Sequence, residues 1–478
     1  MEGLGDESTL LLATTFASLN LENVIFICTV AMLTVTSFFY CLPEENHSVT
    51  YLAEDPIEKR TSVEVMWSKG QKIPKIPSAI LHLEERVSSK KKASFEDYTP
   101  FVVSFGPYYH GKHELDQAES IKHQIFDIFV SESQESKDFF LEMFEVVGKE
   151  VRSLYLWEYT AGYSDKELAE MMLLDACFII AVYSNVASNL SQYVIKLLGN
   201  VMFTLAQRDV LLLENQIPFE LVKKLLISGR SMAYANYWIR FFICKAINVN
   251  FDMITGDIHD DADQPPFLLE ALRRAVISGH WSKVFLITIN KHHAELSYPN
   301  RMEDDDTCSP IIDHKIELGN QVKKYSYSFH SVIDLKAKGI SFRPSHSDLL
   351  GDIKFTSFCF HGRLELPTFV ASIKSRVWLK NAIAYELCPD SNTQLQLTSY
   401  IKFMKSIISD SKDVQELRDQ RILINQLNND DEVVELFKEI NICSLDDDLF
   451  DFKVKEQIQK HYNSKAKTWM AELIGTHF

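Results

Sequence analysis

The sequence predicts a mainly α protein: one large helical domain with a small antiparallel β-sheet insert at about residues 340–370, plus an N-terminal apolar helix. Three observations carry this. Apolar residues recur at helical spacing through most of the chain beyond residue 76. Gly and Pro number only 16 and 14 in 478 residues, which leaves little room for low-complexity linkers. Phe and Tyr number 31 and 18, enough to fill a large core.

The N-terminal element is the run VIFICTVAMLTVTSFFYCL at residues 24–42, which carries no charge. As a helix it would span about 28 Å, close to the ~30 Å hydrocarbon core of a bilayer. No Lys or Arg precedes it, whereas Lys59, Arg60, Lys69, Lys72 and Lys75 follow. By the positive-inside rule the downstream chain faces the cytoplasm. The basic start and small-residue cleavage site of a signal peptide are missing. The run is therefore read as a transmembrane helix, with a buried core element and a cleaved signal as alternatives. Residues 1–23 form a tail before it. Residues 43–75, punctuated by Pro43, Pro56 and Pro74, form a linker. Asn46 and Asn189 head the two glycosylation sequons, the second inside a helical apolar stretch that argues against its use.

Helix signals follow in order. Ser164 and Glu167 form a capping box ahead of LAEMMLLDACFIIAVY. That helix is apolar nearly all round and belongs in the middle of a core, where Asp175 would need a partner. A second helix opens at Pro218, and Pro265-Pro266 open FLLEALRRAVI. Gly339 is placed to end a helix in the left-handed conformation. ISFRP, DIKFTSFCF and RLELPTF then read as strands, with His361-Gly362 as a turn. Helical periodicity returns in SRVWLKNAIAYEL, SYIKFMKSII, VQELRDQRILINQL and EVVELFKEI. Asn428 to Glu432 put acidic groups at a helix start, favourable against the helix dipole. Asp446, Asp447 and Asp448 lack EF-hand spacing and read as a solvated loop.

The net charge of −17 argues against nucleic-acid binding and against a peripheral attachment to anionic lipid. The eight cysteines show no C-x-x-C pairing, so neither a zinc site nor a disulfide scaffold is indicated. They read as buried reduced thiols, with a few long-range disulfides left open.

No nucleotide-binding, hydrolase or zincin motif is present. Two candidates for chemistry remain. His110, His113, Glu114 and His123 could ligate a metal or move protons. Gly111 and Pro107 favour a loop there, and surface histidines are the preferred reading. Glu214, Asn215 and Gln216 interrupt a strongly apolar run. They could line a ligand or catalytic cleft with Glu214 as acid or base. The preferred reading is a buried polar turn whose side chains cap backbone groups. No cofactor is implied.

Several segments, in order, resemble the plant family called domain of unknown function 247. They are residues 76–100, 103–111 (VSFGPYYHG) with Glu119 and Lys122, 171–179 (MMLLDACFI), and 209–219 (DVLLLENQIPF). In the C-terminal half they are 352–355, 364–367, 381–386 (NAIAYE), 399–400 and 462–464. Tyr109 stands where the family often has His, which weakens the metal reading, and Ala176 where it often has Gly. The resemblance covers about residues 76–470 and implies one largely helical domain with no established activity. It also implies an apolar C-terminal anchor. The chain stops at Phe478, so residues 471–478 are read as an end cut before that anchor, or residues 24–42 as its replacement. Some members of the family look like recognition determinants in pollen–stigma self-incompatibility; others are linked to stress or defence. The leading expectation is a membrane-associated plant protein, with the plasma membrane as first choice. It would act in recognition or signalling through contacts with an unknown protein partner. The alternative is a cryptic enzyme or small-ligand receptor with a pocket near Glu214 and Asp175.

Overall fold

The computed structural model describes residues 72–81, 96–248, 254–256, 264–280, 330–440 and 452–464, apart from 79, 348, 360 and 392. The predicted membrane run at 24–42, Asn46, the acidic run at 446–448 and residues 471–478 lie outside the described residues. Among the described residues no helix is long and apolar enough to cross a membrane.

Among the described residues fifteen α-helices dominate, as the periodicity predicts. The first nine are α1 (Asp116–Glu132), α2 (Lys137–Glu145), α3 (Gly148–Ser153), α4 (Trp157–Thr160), α5 (Asp165–Val182), α6 (Asn189–Asp209), α7 (Phe219–Gly229), α8 (Met232–Ile247) and α9 (Leu268–Ser278). The capping box at the head of α5 is formed in both directions: Glu167 N–H donates to Ser164 Oγ at 3.2 Å, and Ser164 N–H to Glu167 Oε2 at 2.7 Å. Beyond it lies a run free of Gly and Pro, and every residue from Met171 to Val182 is buried. Only a helix surrounded on all sides can do that, and α5 packs against α1, α2, α3, α6 and α7.

The second part adds α10 (Val332–Ala337), α11 (Ile373–Glu386), α12 (Gln396–Ile407), α13 (Ser411–Asp419), α14 (Asp430–Glu439) and α15 (Phe452–Tyr462). Its strands are β1 (Ile340–Pro344), β2 (Lys354–Ser357), β3 (Gly362–Leu366), β4 (Phe369–Ala371) and β5 (Leu423–Asn425). Gly339 closes α10 at φ +76°, as expected. Asn429 caps α14 by accepting from Glu432 N–H at 2.9 Å.

The sheet departs from expectation in its direction. β2 and β3 form the expected antiparallel hairpin, but β1 lies parallel on the other edge of β3, in register from Ile340↔Gly362 to Pro344↔Leu366. In this register Ile340 and Phe342 share the buried face with Leu364 and Leu366. A second correction falls in VQELRDQRILINQL, read as one helix. The helix stops at Asp419, Arg421 takes φ +59°, and Leu423–Asn425 become β5, parallel to β4. The β-branched Ile422 and Ile424 suit a strand, and an open partner strand decided the matter. Cys177, Cys244, Cys359 and Cys388 are free; Cys177 and Cys388 are buried as expected, Cys244 is half-buried, and Cys359 is exposed.

Candidate functional site

The three polar residues that break the apolar run at 210–219 lie in the turn between α6 and α7 and are all buried. Each is spent on backbone. Asn215 accepts from Phe105 N–H at 2.7 Å and donates to the carbonyls of Val103 (3.1 Å) and Asp209 (3.0 Å). Gln216 donates to Val210 O and Leu212 O at 2.7 and 2.8 Å and accepts from Leu269 N–H at the head of α9, 3.1 Å away. Glu214 accepts from Ile76 N–H at 2.9 Å and from the Tyr109 hydroxyl at 3.1 Å, and Lys75 Nζ stands 3.4 Å from it. A buried backbone group left unpaired costs about 1–3 kcal/mol, so these side chains set where neighbouring segments run.

The segment they hold is residues 101–106, an irregular strap. Asp209 receives the amides of Phe101, Val102 and Val103 on one oxygen at 3.0, 2.7 and 3.2 Å. Its other oxygen faces Arg208 Nη1 at 2.7 Å. Burial outweighs these favourable contacts and pushes the Asp209 carboxyl up to about 6. Asp175, on the central helix, accepts from Gly106 N–H at 2.7 Å. Gly106 has φ +70°, and a Cβ there would stand 2.8 Å from Tyr155 Oη and 3.1 Å from Gln216 O, so only glycine fits the corner.

Asp175 has the partner its burial demands. Lys122 Nζ, 1% exposed, lies 2.6 Å from Asp175 Oδ1 and donates to Ser104 O and Glu119 Oε1, both at 2.7 Å. Burial raises the Asp175 carboxyl, and the Lys122 ammonium draws part of that back. On the other side Asn381 of α11 accepts from Leu213 N–H at 2.8 Å and donates to Asp97 O at 2.8 Å, and Lys380 pairs with Asp97 at 2.8 Å.

The structure thus brings Asp175, Glu214, Asn215 and Gln216 into one buried network, bridged by residues 101–109. His110 stands at its rim, 3.6 Å from Glu119 Oε2 and edge-on to Tyr163. His113, Glu114 and His123 are exposed, and among the described residues no three His, Cys, Asp or Glu side chains are grouped to hold a metal. A cleft of about 300 Å³ between α2 and α5 is lined by none of the predicted site residues; Asp138, Glu142, Glu145 and Glu170 stand around it. Asn189 is exposed at the first turn of α6, but its sequon hydroxyl, Ser191, is buried and donates to Ala181 O and Ser184 O.

Sequence reasoning missed a second buried network. Glu270 on α9 receives both Arg273 (2.6 and 2.9 Å) and Arg274 (2.8 Å). Arg273 also reaches Glu386 of α11 at 2.9 Å. Glu386 in turn accepts from Leu397 N–H, Thr398 N–H and Thr398 Oγ1 at 3.1, 2.8 and 2.7 Å, capping the start of α12. The signal was present: a Glu with Arg three and four residues on, inside FLLEALRRAVI, predicts an intrahelical cluster, and its burial needed the fold.

Residues 80–478 match the family model DUF247, described as a plant protein of unknown function. The UPF0481 protein At3g47200 of Arabidopsis thaliana is 26% identical over 411 residues, covering 80% of this chain and 77% of its own. The putative UPF0481 protein At3g02645 of the same plant is 21% identical over 459 residues, covering 80% and 82%. No solved structure matches. With the model spanning far more than half of its length, this chain belongs to the DUF247 family of plant proteins.

Proposed function

We propose that this protein is a non-catalytic recognition domain. It is held at a membrane, with the plasma membrane as first choice, by residues 24–42, and it acts through contacts with a protein partner. One observation carries the reading: the carboxylates and amides that could do chemistry, Asp175, Glu214, Asn215 and Gln216, are each engaged by backbone or by a buried cation. Such groups position chain segments; they do not present a free acid or base to a substrate. The material for contact is elsewhere. Trp157 is 70% exposed with Leu156 beside it at 38%, an aromatic anchor of the kind that dominates interface energetics.

Two measurements test this. Membrane fractionation with protease protection compares the full chain with a version lacking residues 1–42; the full chain should pellet and the shortened one stay in the supernatant. Proximity labelling in plant tissue compares the full chain with Trp157→Ser. A set of neighbours lost on substitution, at unchanged melting temperature, supports recognition through this surface. An identical set from both proteins sinks it.

A further inference from the structure

Residues 72–77, Lys-Ile-Pro-Lys-Ile-Pro, belong to no helix or strand, yet they are gripped as a bound peptide would be. Ile73 N–H donates to Leu154 O at 2.7 Å, and Tyr108 Oη donates to Ile73 O at 2.8 Å. Three residues on, Ile76 N–H donates to Glu214 Oε1 at 2.9 Å. The side chains of Ile73 and Ile76 are seated in the core, at 2% and 7% exposure. Between them Lys75 enters an aromatic cage. Its Nζ lies 4.4 Å from the centre of the Tyr159 ring and 5.1 Å from that of Tyr108. It donates to Tyr159 Oη at 2.9 Å and stands 3.4 Å from Glu214 Oε2. Burial works against the ammonium, but Tyr159 and Glu214 outweigh it and raise its pKa.

Two rings and a carboxylate around an alkylammonium are the recognised chemistry for reading a lysine. Pro74 and Pro77 have no N–H and favour an extended backbone, so the segment asks little of the groove in hydrogen bonds and loses little entropy on docking. Backbone hydrogen bonds at the residue before each proline, two aliphatic sockets and a cation cage between them form a complete peptide-reading set. The mouth of the cage is open to solvent along Lys75, and α4 carries Tyr159 on one side and the exposed Trp157 on the other.

We propose that this groove is a binding site for an extended, proline-flanked segment bearing a lysine between two aliphatic residues, and that residues 73–76 fill it in cis as an intramolecular ligand. A partner's segment of the same chemistry enters when the strap leaves. The proposal deepens the recognition reading and rests on it. Its energetics follow from tethering: the cis strap competes at a local concentration in the mM range, so wild type binds a free peptide weakly. Loosening the strap raises the open fraction and tightens the apparent affinity in proportion.

The test is a fluorescence-anisotropy titration of a labelled peptide with the sequence of residues 72–79 against the full chain. Lys75→Met, which keeps the aliphatic stem and drops the charge, should bind the peptide roughly tenfold or more tighter than wild type. A peptide with norleucine in place of the second lysine should lose that gain. Equal binding by variant and wild type, or binding indifferent to that lysine, overturns the proposal. Hydrogen exchange on unmodified protein gives a check that needs no variant. The amides of Ile73 and Ile76 should exchange roughly tenfold or more faster than those of Ile179 to Ala181 in α5, because a ligand-like strap opens locally. Equal protection would mean the strap leaves only when the whole domain unfolds, and would overturn the proposal as well. Failure of either test removes the groove and leaves the recognition reading to the Trp157 comparison.

Discussion

Two buried polar networks share this core and work differently. In the first, around residues 209–216, side chains hold backbone: the amides of Ile76, Phe101, Val102, Val103, Phe105 and Gly106 end on Glu214, Asp209, Asn215 and Asp175. In the second, side chains hold side chains: Glu270, Arg273, Arg274 and Glu386 join α9 to α11, with α12 capped as a by-product. The first network fixes irregular segments that have no ladder of their own; the second fixes helices that already do. An irregular segment held by a few side-chain acceptors can be released piecemeal, whereas helices bolted by a four-charge cluster cannot. The strap network is therefore the place to look for exchangeable contacts, and the charge network for rigidity.

Glu386→Ala should do the most damage. It leaves Arg273 with one carboxylate fewer and strips the head of α12 of its cap, at a cost of about 5 kcal/mol in denaturant unfolding. A loss near 1 kcal/mol would mean the cluster is replaceable by water and would erase the contrast. Next comes Asp175→Leu, which leaves the buried Lys122 ammonium with Glu119 in place of two carboxylates and the Gly106 N–H without its acceptor, and should cost about 3–4 kcal/mol. Adding Lys122→Met should restore most of it, because an apolar pair needs no counter-charge. A double variant as unstable as the single one would assign the loss to the Gly106 corner instead. Glu214→Gln keeps an acceptor for Ile76 N–H and weakens the contacts of the second oxygen to Lys75 and the Tyr109 hydroxyl, so about 1–2 kcal/mol is expected. That it should cost less than Glu386→Ala is the sharpest form of the comparison.

A further effect is in pH. Burial raises the Asp209 carboxyl to about 6, above its ordinary value of 3.8. The folded state then holds a proton that the unfolded chain has released, so the contribution of this group to stability falls as pH rises from about 4 to about 6. Asp209→Asn does not titrate. The melting temperature of wild type relative to Asp209→Asn should therefore decline across that window. A difference that stays flat would mean the three amides and Arg208 already hold the carboxylate ionised.

Much of this was legible beforehand because it depends on neighbours in sequence. Ser164 and Glu167 cap the central helix from three residues apart, and the unbroken apolar run behind them can only be interior. Pro218 and Pro266 stand at the openings they were read to mark, and the polar triplet at 214–216 caps backbone as the preferred reading held. The direction of β1, the strand at 423–425 and the second charge network were not legible. Each is decided by a partner far along the chain. Leu423–Asn425 is a strand because β4 offers an edge, and β1 lies along β3 in a register that buries Ile340 and Phe342.

The sequence by itself determined the helical class, the central buried helix, the family resemblance and the burial of Asp175 and of the polar triplet at 214–216. Those follow from periodicity, capping and composition, all local. Only the tertiary structure decided what those polar residues hold. A buried acceptor has no preference written in its neighbours. Glu214 meets Ile76 and Lys75, and Asp209 meets the 101–103 amides, because close packing brought those donors within 3.5 Å.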